Sequence, residues 1–186
     1  MNLPFATTCA ERLVAWLTPH AERVAVAGSV RRRKAEPSDL DLVVIPRHVE
    51  DRDMFGAVTA RRNATWLEID RRATADKWEV LRAGSDLVSF RAKGVQVDIF
   101  WAAPETWGTV LLCRTGSKEH NIWLAQYAQA QGGKWHPGAG LYANHRRIAE
   151  TEEAIYQALG LDPIPPERRE AHLLPFAGLI RAPNQA

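Results

Sequence analysis

Two aspartates separated by one leucine constrain the fold of this chain more than any other feature. Asp39 and Asp41 stand at the start of an apolar, β-branched segment, 40–45, which predicts a strand ending at Pro46. Alternate side chains of a strand face the same side, so both carboxylates point outward together. Two close like charges repel each other unless a cation neutralises them, and Mg²⁺ prefers oxygen ligands of this kind. The simpler alternative is a turn residue followed by a solvated strand residue.

The residues before this acid pair favour the metal interpretation. Gly28 and Ser29 follow a short apolar strand, 24–27, and the first acid comes ten residues after the serine. Glycine lets the backbone approach a ligand closely, and a serine hydroxyl with exposed amides can hold a phosphate. Arg31 and Arg32 come next and can pair with phosphate oxygens. The segment therefore predicts a phosphate-binding loop beside the carboxylates.

A third acid, Asp98, lies in the apolar segment 97–100. A carboxylate among such residues is expected to be half-buried, and it then needs a partner. If its strand neighbours the strand of Asp39 and Asp41, three carboxylates meet at one edge of the sheet. Such a cluster suits two Mg²⁺ ions that assist the displacement of a phosphoryl group.

The chain as a whole predicts an α+β fold. Apolar spacing and capping residues predict helices over residues 7–18, 51–62, 107–113, 119–131 and 151–159. Residues 87–100 predict a hairpin that turns at Lys93-Gly94. We expect a small mixed sheet flanked by helices in residues 1–104, and a mainly helical lobe in residues 105–186 whose tail after residue 166 is irregular.

Charge and composition add few further limits. The 186 residues carry a formal net charge of +2, so no global field indicates nucleic acid, although arginines cluster locally. Cys9 and Cys113 form no metal-type spacing and no disulfide framework, which favours a reducing, cytoplasmic setting. No apolar run approaches the roughly 20 residues that span a bilayer. We expect a monomer with no membrane association and no obligate protein partner.

The order of these motifs resembles family X DNA polymerases, the DNA polymerase beta group. Gly28-Ser-Val-Arg-Arg followed by Ser38-Asp-Leu-Asp41 resembles the palm signature of that family, a pattern shared with the wider nucleotidyltransferase superfamily. The segment from Arg114 to Asn121 resembles the family's Thr-Gly-Ser turn and the asparagine that follows it. Segments 97–109 and 151–170 resemble the third-acid strand with its connection to the thumb, and the C-terminal end of bacterial members.

The resemblance implies a nucleotidyltransferase palm over residues 1–104 and a thumb-like domain over residues 105–186. It implies a DNA-directed DNA polymerase that uses two Mg²⁺ ions, with Mn²⁺ as a substitute, to add deoxynucleotides to a primer 3′-hydroxyl in short-gap DNA repair. The catalytic and metal-binding residues implied are Asp39, Asp41 and Asp98. The nucleotide-binding residues implied are Gly28, Ser29, Arg32, Ser38, Thr115, Gly116 and Asn121. The DNA-binding residues implied are Arg31, Lys118, Arg146 and Arg147.

The chain departs from the family pattern at several positions. Cys113-Arg114 stands where members often carry Tyr-Phe against the nucleotide sugar, so the choice of sugar is open. Ser38 replaces a glycine, Gln96 replaces an arginine near the third acid, and Ala125 stands where a basic residue faces the template. We expect neither the family's N-terminal helix-hairpin-helix domain nor its C-terminal phosphoesterase domain, so DNA binding is expected to be weak and salt-sensitive.

Two other functions stay open. A template-independent nucleotidyltransferase, terminal transferase-like or acting on a small molecule or protein, fits residues 24–45 equally well. The segment from Thr115 to Asn121 argues for a templated nucleotide instead. A catalytically inactive nucleic-acid-binding protein is disfavoured because all three acids are present.

Overall fold

The computed structural model describes residues 1–136, 139–143, 146–149 and 151–170. Its helices and strands follow in chain order as α1 Leu3–Leu17, β1 Ala21–Val26, α2 Gly28–Arg31, β2 Leu40–Pro46, β3 His48–Arg52, β4 Val58–Asn63, α3 Ala64–Ala75, β5 Glu79–Ala83, β6 Leu87–Ala92, β7 Val95–Trp101, α4 Trp107–Thr115, α5 Lys118–Ala130, β8 Lys134–His136, β9 Gly140–Ala143, β10 Arg146–Ala149 and α6 Glu152–Ala158. The predicted α+β class is confirmed. None of the helices within these ranges is both long and apolar enough to cross a membrane.

A five-stranded mixed sheet with the order β1-β2-β7-β6-β5 forms the first half. β2 and β7 are parallel, whereas the other neighbouring strands are antiparallel. The predicted hairpin of β6 and β7 is confirmed, since Lys93 and Gly94 both have positive φ, at 51° and 82°. A two-residue turn of this kind matches the twist of the strands that it joins.

Strand β2 is covered on both faces, which explains its continuous apolar run. Leu40, Leu42 and Val44 pack with buried residues of α1 and α3 on one face. Val43 and Ile45 pack with residues of α4 on the other. Because side chains alternate along a strand, Asp41 shares the face that α4 occupies. The sheet therefore presents its acids toward the second half of the chain.

Helix α1 begins earlier than the sequence predicts. The prediction places its start near Thr7, whereas the structure places it at Leu3. The side chain of Asn2 accepts a hydrogen bond from the backbone N–H of Phe5 at 3.0 Å and caps the helix. An asparagine cap followed by proline in the first turn is a favourable helix start, so the helix extends to that cap.

The predicted helix over residues 51–62 is wrong, because this segment forms the antiparallel ribbon of β3 and β4. The side chain of Asp53 accepts hydrogen bonds from the backbone N–H groups of Phe55 and Ala57, both at 2.9 Å, and Gly56 has φ of +82°. Asp and Gly at these places stabilise a tight turn and not a helix. Helix α3, which follows with Asn63 as its N-cap, was missing from the sequence prediction.

In the second half, the three helices predicted from the sequence are confirmed as α4, α5 and α6. Ser117 caps α5 and Thr151 caps α6 through side-chain hydrogen bonds. The sequence prediction missed a small three-stranded sheet of order β10-β9-β8, whose strands have only three or four residues. The predicted irregular tail falls largely on residues 171–186, which lie outside the described residues.

Helix α4 packs against both the five-stranded sheet and the helices of the second half. Its Leu111 packs with the sheet, and its Leu112 packs with buried residues of α5, β9 and α6. Adjacent residues of one helix thus contact different cores. The acid-bearing face of the sheet therefore lies next to the helices of the second half.

Candidate active site

The parallel pairing of β2 with β7 places Asp41 beside Asp98. The two are register partners, and neighbouring strands lie about 4.8 Å apart. Asp39 lies in the bend directly before β2 and raises the pKa of Asp41 through its charge. The expectation that the strands are neighbours is confirmed, and the structure gathers the three predicted acids at one end of β2.

Gly28 is required by the close approach of Asp41. Its φ is +56°, and a Cβ added to it would lie 1.8 Å from the Oδ2 atom of Asp41. The backbone N–H of Ala27 also donates to the carbonyl of Asp41 at 2.8 Å. A residue with a side chain would be strained at this φ and would collide with the carboxylate. The predicted phosphate-binding segment therefore lies directly against the acids.

The surroundings of Asp41 raise its pKa from 3.8 to about 7. Burial is the largest cause, because it disfavours the ionised carboxylate, and the charges of Asp39 and Asp98 act in the same direction. The guanidinium groups of Arg32 and Arg114 oppose this effect without cancelling it. The site is thus short of positive charge, and a bound cation would favour the ionised form.

Two polar side chains hold Asp98. Ser89, its register partner on β6, donates its hydroxyl to the carboxylate, and the Nε2 atom of Gln96 lies 3.3 Å from both carboxylate oxygens. The sequence analysis noted Gln96 only as a departure and missed Ser89. The hairpin turn at Lys93-Gly94 could have identified Ser89, because that turn sets residue 89 opposite residue 98.

The donor chemistry of this corner fits Mg²⁺. Within the described ranges, no three His, Cys, Asp or Glu side chains form a group that could hold a metal ion by themselves. Mg²⁺ does not need such a group, since it commonly binds one or two carboxylates and completes its coordination with water and substrate phosphates. Asp41 and Asp98, paired in register with Asp39 beside them, offer oxygen ligands of that kind.

Ser29 supplies a buried hydroxyl in the predicted phosphate-binding segment. Its Oγ atom has no hydrogen-bond partner among the described residues, and the residue is 9% exposed. A buried polar group without a partner costs about 1–3 kcal/mol, so such groups need an explanation. A ligand phosphate would supply the partner. Ser38, the other serine predicted to bind nucleotide, donates instead to Asp39 at 3.0 Å.

Arg31 joins α2 to the second half through a buried ion cluster. It donates to the two carboxylate oxygens of Glu152 at 2.9 and 2.5 Å and to the hydroxyl of Thr115 at 2.6 Å. Arg169 donates to the same carboxylate at 2.8 Å. Burial raises the pKa of Glu152, but the hydrogen bonds and charges of the two arginines outweigh it, so the pKa is lowered overall. The members of this cluster are far apart in the chain, so no local sequence pattern predicts it.

Arg32 makes a second link between the halves. Its Nε atom donates to Glu170 at 2.7 Å, and its Nη1 atom donates to the carbonyl of Thr115. Gly116 has φ of +72°, and a Cβ there would lie 3.1 Å from the same Nη1 atom. The peptide bond from Gly116 to Ser117 is cis. The structure thus packs the predicted sugar-binding turn against the predicted phosphate-binding arginine.

Asn121 is the fourth residue of α5 and follows closely on the turn formed by residues 115–117. Its Nδ2 atom donates to the carbonyl of Cys113 at 2.8 Å, and its Oδ1 atom lies 3.3 Å from the Nδ1 atom of His120. Arg114, which the sequence analysis did not place in the site, has its guanidinium carbon 4.1 Å from the centre of the Phe100 ring. This contact holds a cation close enough to lower the pKa of Asp41.

The predicted DNA-binding residues are spread over several elements. Lys118 is exposed at the start of α5. Arg147 is half-buried on β10, and its Cδ atom would lie 3.1 Å from a Cβ added to Gly140. Arg146 lies on the same strand, but its side chain is outside the described part of the structure. The DNA-binding role of these residues stays a prediction.

Comparison with known proteins agrees with this geometry. A crystal structure of Leishmania infantum polymerase beta in a ternary P/T complex matches with a TM-score of 0.71 and 17% identity, over 91% of this chain and 76% of that one. The family model of the DNA polymerase beta thumb matches residues 110–170. The chain therefore has a fold like that of this polymerase beta structure, and its residues 110–170 are similar to the thumb of the DNA polymerase beta group. Human DNA-directed DNA/RNA polymerase mu is 34% identical over 82 residues, which are 42% of this chain and 17% of the human protein.

Proposed function

We propose that the chain is a DNA-directed DNA polymerase that adds deoxynucleotides to a primer 3′-hydroxyl by a two-metal mechanism, and that it fills short gaps in DNA repair. One observation carries the proposal: Asp41 pairs in register with Asp98 and lies directly against Gly28, beside the Ser29 hydroxyl, which has no hydrogen-bond partner in the described part of the chain. A metal-bound triphosphate would bring a cation to the Asp carboxylates and a phosphate oxygen that accepts from the Ser29 hydroxyl. DNA as the partner is supported by the polymerase names of the relatives.

In this proposal the three acids supply part of the metal coordination, and water and substrate phosphates would supply the rest. Asp39, Asp41 and Asp98 would hold two Mg²⁺ ions, for which Mn²⁺ can substitute. When bound, the ions neutralise charge on the triphosphate and favour ionisation of the attacking hydroxyl. Asp98 would accept the proton of the primer 3′-hydroxyl, and the hydrogen bonds from Ser89 and Gln96 would keep its carboxylate oriented for this role.

The remaining residues would bind the nucleotide and the DNA. Ser29 and Arg32 would hold the β- and γ-phosphates, next to the backbone of Gly28 and to Ser38. Thr115 and Gly116 would lie against the sugar, and Asn121 would contact the minor-groove edge of the base. Contacts to the DNA backbone would come from Arg31, Lys118, Arg146 and Arg147. The hydroxyl of Thr115 already accepts from Arg31, so this turn and the phosphate-binding segment would respond to a nucleotide together.

Primer extension tests this proposal. The purified chain is incubated with Mg²⁺ and each deoxynucleotide on a one-nucleotide gap and, separately, on single-stranded DNA. We expect extension of the gapped substrate, with the added base set by the template. Asp41→Asn and Asp98→Asn should abolish extension, whereas Glu36→Gln, which removes an exposed carboxylate from the same loop region, should not.

The alternatives give different results in the same assay. Extension of single-stranded DNA without regard to a template would support a template-independent nucleotidyltransferase. Full activity of Asp41→Ala would refute the proposed role of the acids. Lack of nucleotide transfer to any acceptor, with DNA binding retained, would support an inactive nucleic-acid-binding protein.

A further inference from the structure

A chain of hydrogen bonds runs through the second half and ends at Asn121. It begins at the hydroxyl of Tyr156 on α6, which lies 2.7 Å from the Nε2 atom of His120 on α5. The Nδ1 atom of the same imidazole lies 3.3 Å from the Oδ1 atom of Asn121, whose Nδ2 atom donates to the carbonyl of Cys113 on α4. Three helices are thus connected through one carboxamide. His120 and Tyr156 are both 0% exposed, so the contact between them is shielded from bulk water.

The donor and the acceptor of each hydrogen bond in this series can be assigned by starting from the carbonyl of Cys113. The carbonyl of Cys113 can only accept, so the Asn121 amide group must point toward it and the amide oxygen must face His120. That oxygen can only accept, so the proton of His120 must be on Nδ1. Its Nε2 atom is then an acceptor, and Tyr156 donates its hydroxyl proton to it.

The charges around His120 agree with a neutral imidazole. Burial is the largest cause that lowers the pKa of His120 to about 4, and the charges of Arg169 and Arg32 lower it further. The contact with Asn121 and the charge of Glu152 act in the opposite direction but are smaller. The imidazole therefore stays neutral at physiological pH and keeps the tautomer that the hydrogen bonds require.

We propose that His120 is a positioning residue, which holds the Asn121 carboxamide in the orientation that receives the incoming nucleotide, with Tyr156 fixing the imidazole from behind. The proposal rests on the proposed function, because it needs Asn121 to contact the nucleotide. Without the imidazole, the Asn121 side chain keeps its hydrogen bond to Cys113 as its one remaining side-chain hydrogen bond among the described residues, and it can rotate. An unaligned amide would weaken nucleotide binding and leave the chemical step at Asp41 and Asp98 unchanged.

Gap-filling kinetics with variants of this relay test the proposal. His120→Phe keeps a ring but removes both hydrogen bonds, whereas His120→Asn keeps an amide donor near the position of Nδ1. Loss of one such hydrogen bond should raise the KM for the nucleotide about fivefold for His120→Phe, with kcat changed by less than about twofold. His120→Asn should restore most of that loss. Tyr156→Phe, which deletes one hydroxyl from a retained ring, should raise KM by a smaller factor.

The same substitutions in an Asn121→Ala background distinguish an effect of His120 that acts through Asn121 from a general effect on helix packing. If His120 acts through Asn121, then His120→Phe should leave KM unchanged in that background. An equal rise in KM in both backgrounds, or a fall in kcat alone, would overturn the proposal. An inactive wild-type protein would count instead against the proposed function. Nitrogen chemical shifts of the His120 ring give an independent readout, since a neutral Nε2-protonated tautomer would contradict the relay without any activity measurement.

Discussion

The raised pKa of Asp41 predicts that Asp41→Asn makes the metal-free protein more stable. The pKa of this carboxylate is 3.8 in the unfolded chain, whereas it is about 7 in the folded chain. A folded-state pKa above the unfolded value means that ionisation opposes folding. The resulting loss of stability begins above about pH 4 and is complete above about pH 7. Asparagine has a similar shape and carries no charge at any pH. It therefore removes the destabilising ionisation.

The size of the effect follows from the two pKa values. The difference between 3.8 and about 7 corresponds to about 4 kcal/mol when the carboxylate is fully ionised. In urea, this gain should move the unfolding midpoint by at least about 1 M, given the usual slopes of about 1–3 kcal/mol per M.

Urea denaturation in the presence of EDTA measures this gain at pH 8 and at pH 4.5. We expect Asp41→Asn to exceed the wild type by several kcal/mol at pH 8 and by little at pH 4.5. Glu36→Gln is the matched control, because it removes an exposed carboxylate from the loop that precedes β2. An Asp41→Asn gain that is absent at pH 8, or equal at both pH values, would refute the reasoning.

Three further substitutions test other contacts of the site. Gly28→Ala should lower kcat/KM for nucleotide addition by roughly two orders of magnitude, because its Cβ would displace the Asp41 carboxylate; activity near that of the wild type would exclude the close approach. Glu152→Ala should lower the free energy of unfolding by about 3–5 kcal/mol, since it removes the carboxylate that pairs with both Arg31 and Arg169, whereas Glu153→Ala on the exposed side of the same helix should change it little. Ser29→Ala should raise the KM for the nucleotide without lowering stability, because its hydroxyl has no partner among the described residues; a clear loss of stability in denaturation would contradict this.

Local patterns in the sequence were enough to predict much of the fold. The cap at Thr151, the turn at Lys93-Gly94 and the apolar run of β2 depend on residues close together in the chain. The same reasoning was wrong for residues 51–62, where apolar residues at helical spacing competed with Asp53 and Gly56. Those two residues form a turn whose hydrogen bonds outweigh the weak helical preference, and Met54 and Phe55 are left 89% and 87% exposed.

The sequence by itself determined which residues could do chemistry: the three acids, the Gly28-Ser29 pair and the segment from Thr115 to Asn121. Tertiary structure alone decided how they are held. The pKa of Asp41 depends on burial and on charges brought in by other segments, and Arg31 meets Glu152 because α2 and α6 both pack against α4. The relay from Tyr156 through His120 and Asn121 to the carbonyl of Cys113 likewise needs three helices to meet. Such contacts depend on three-dimensional packing between distant segments, which residue type and spacing in one sequence do not specify.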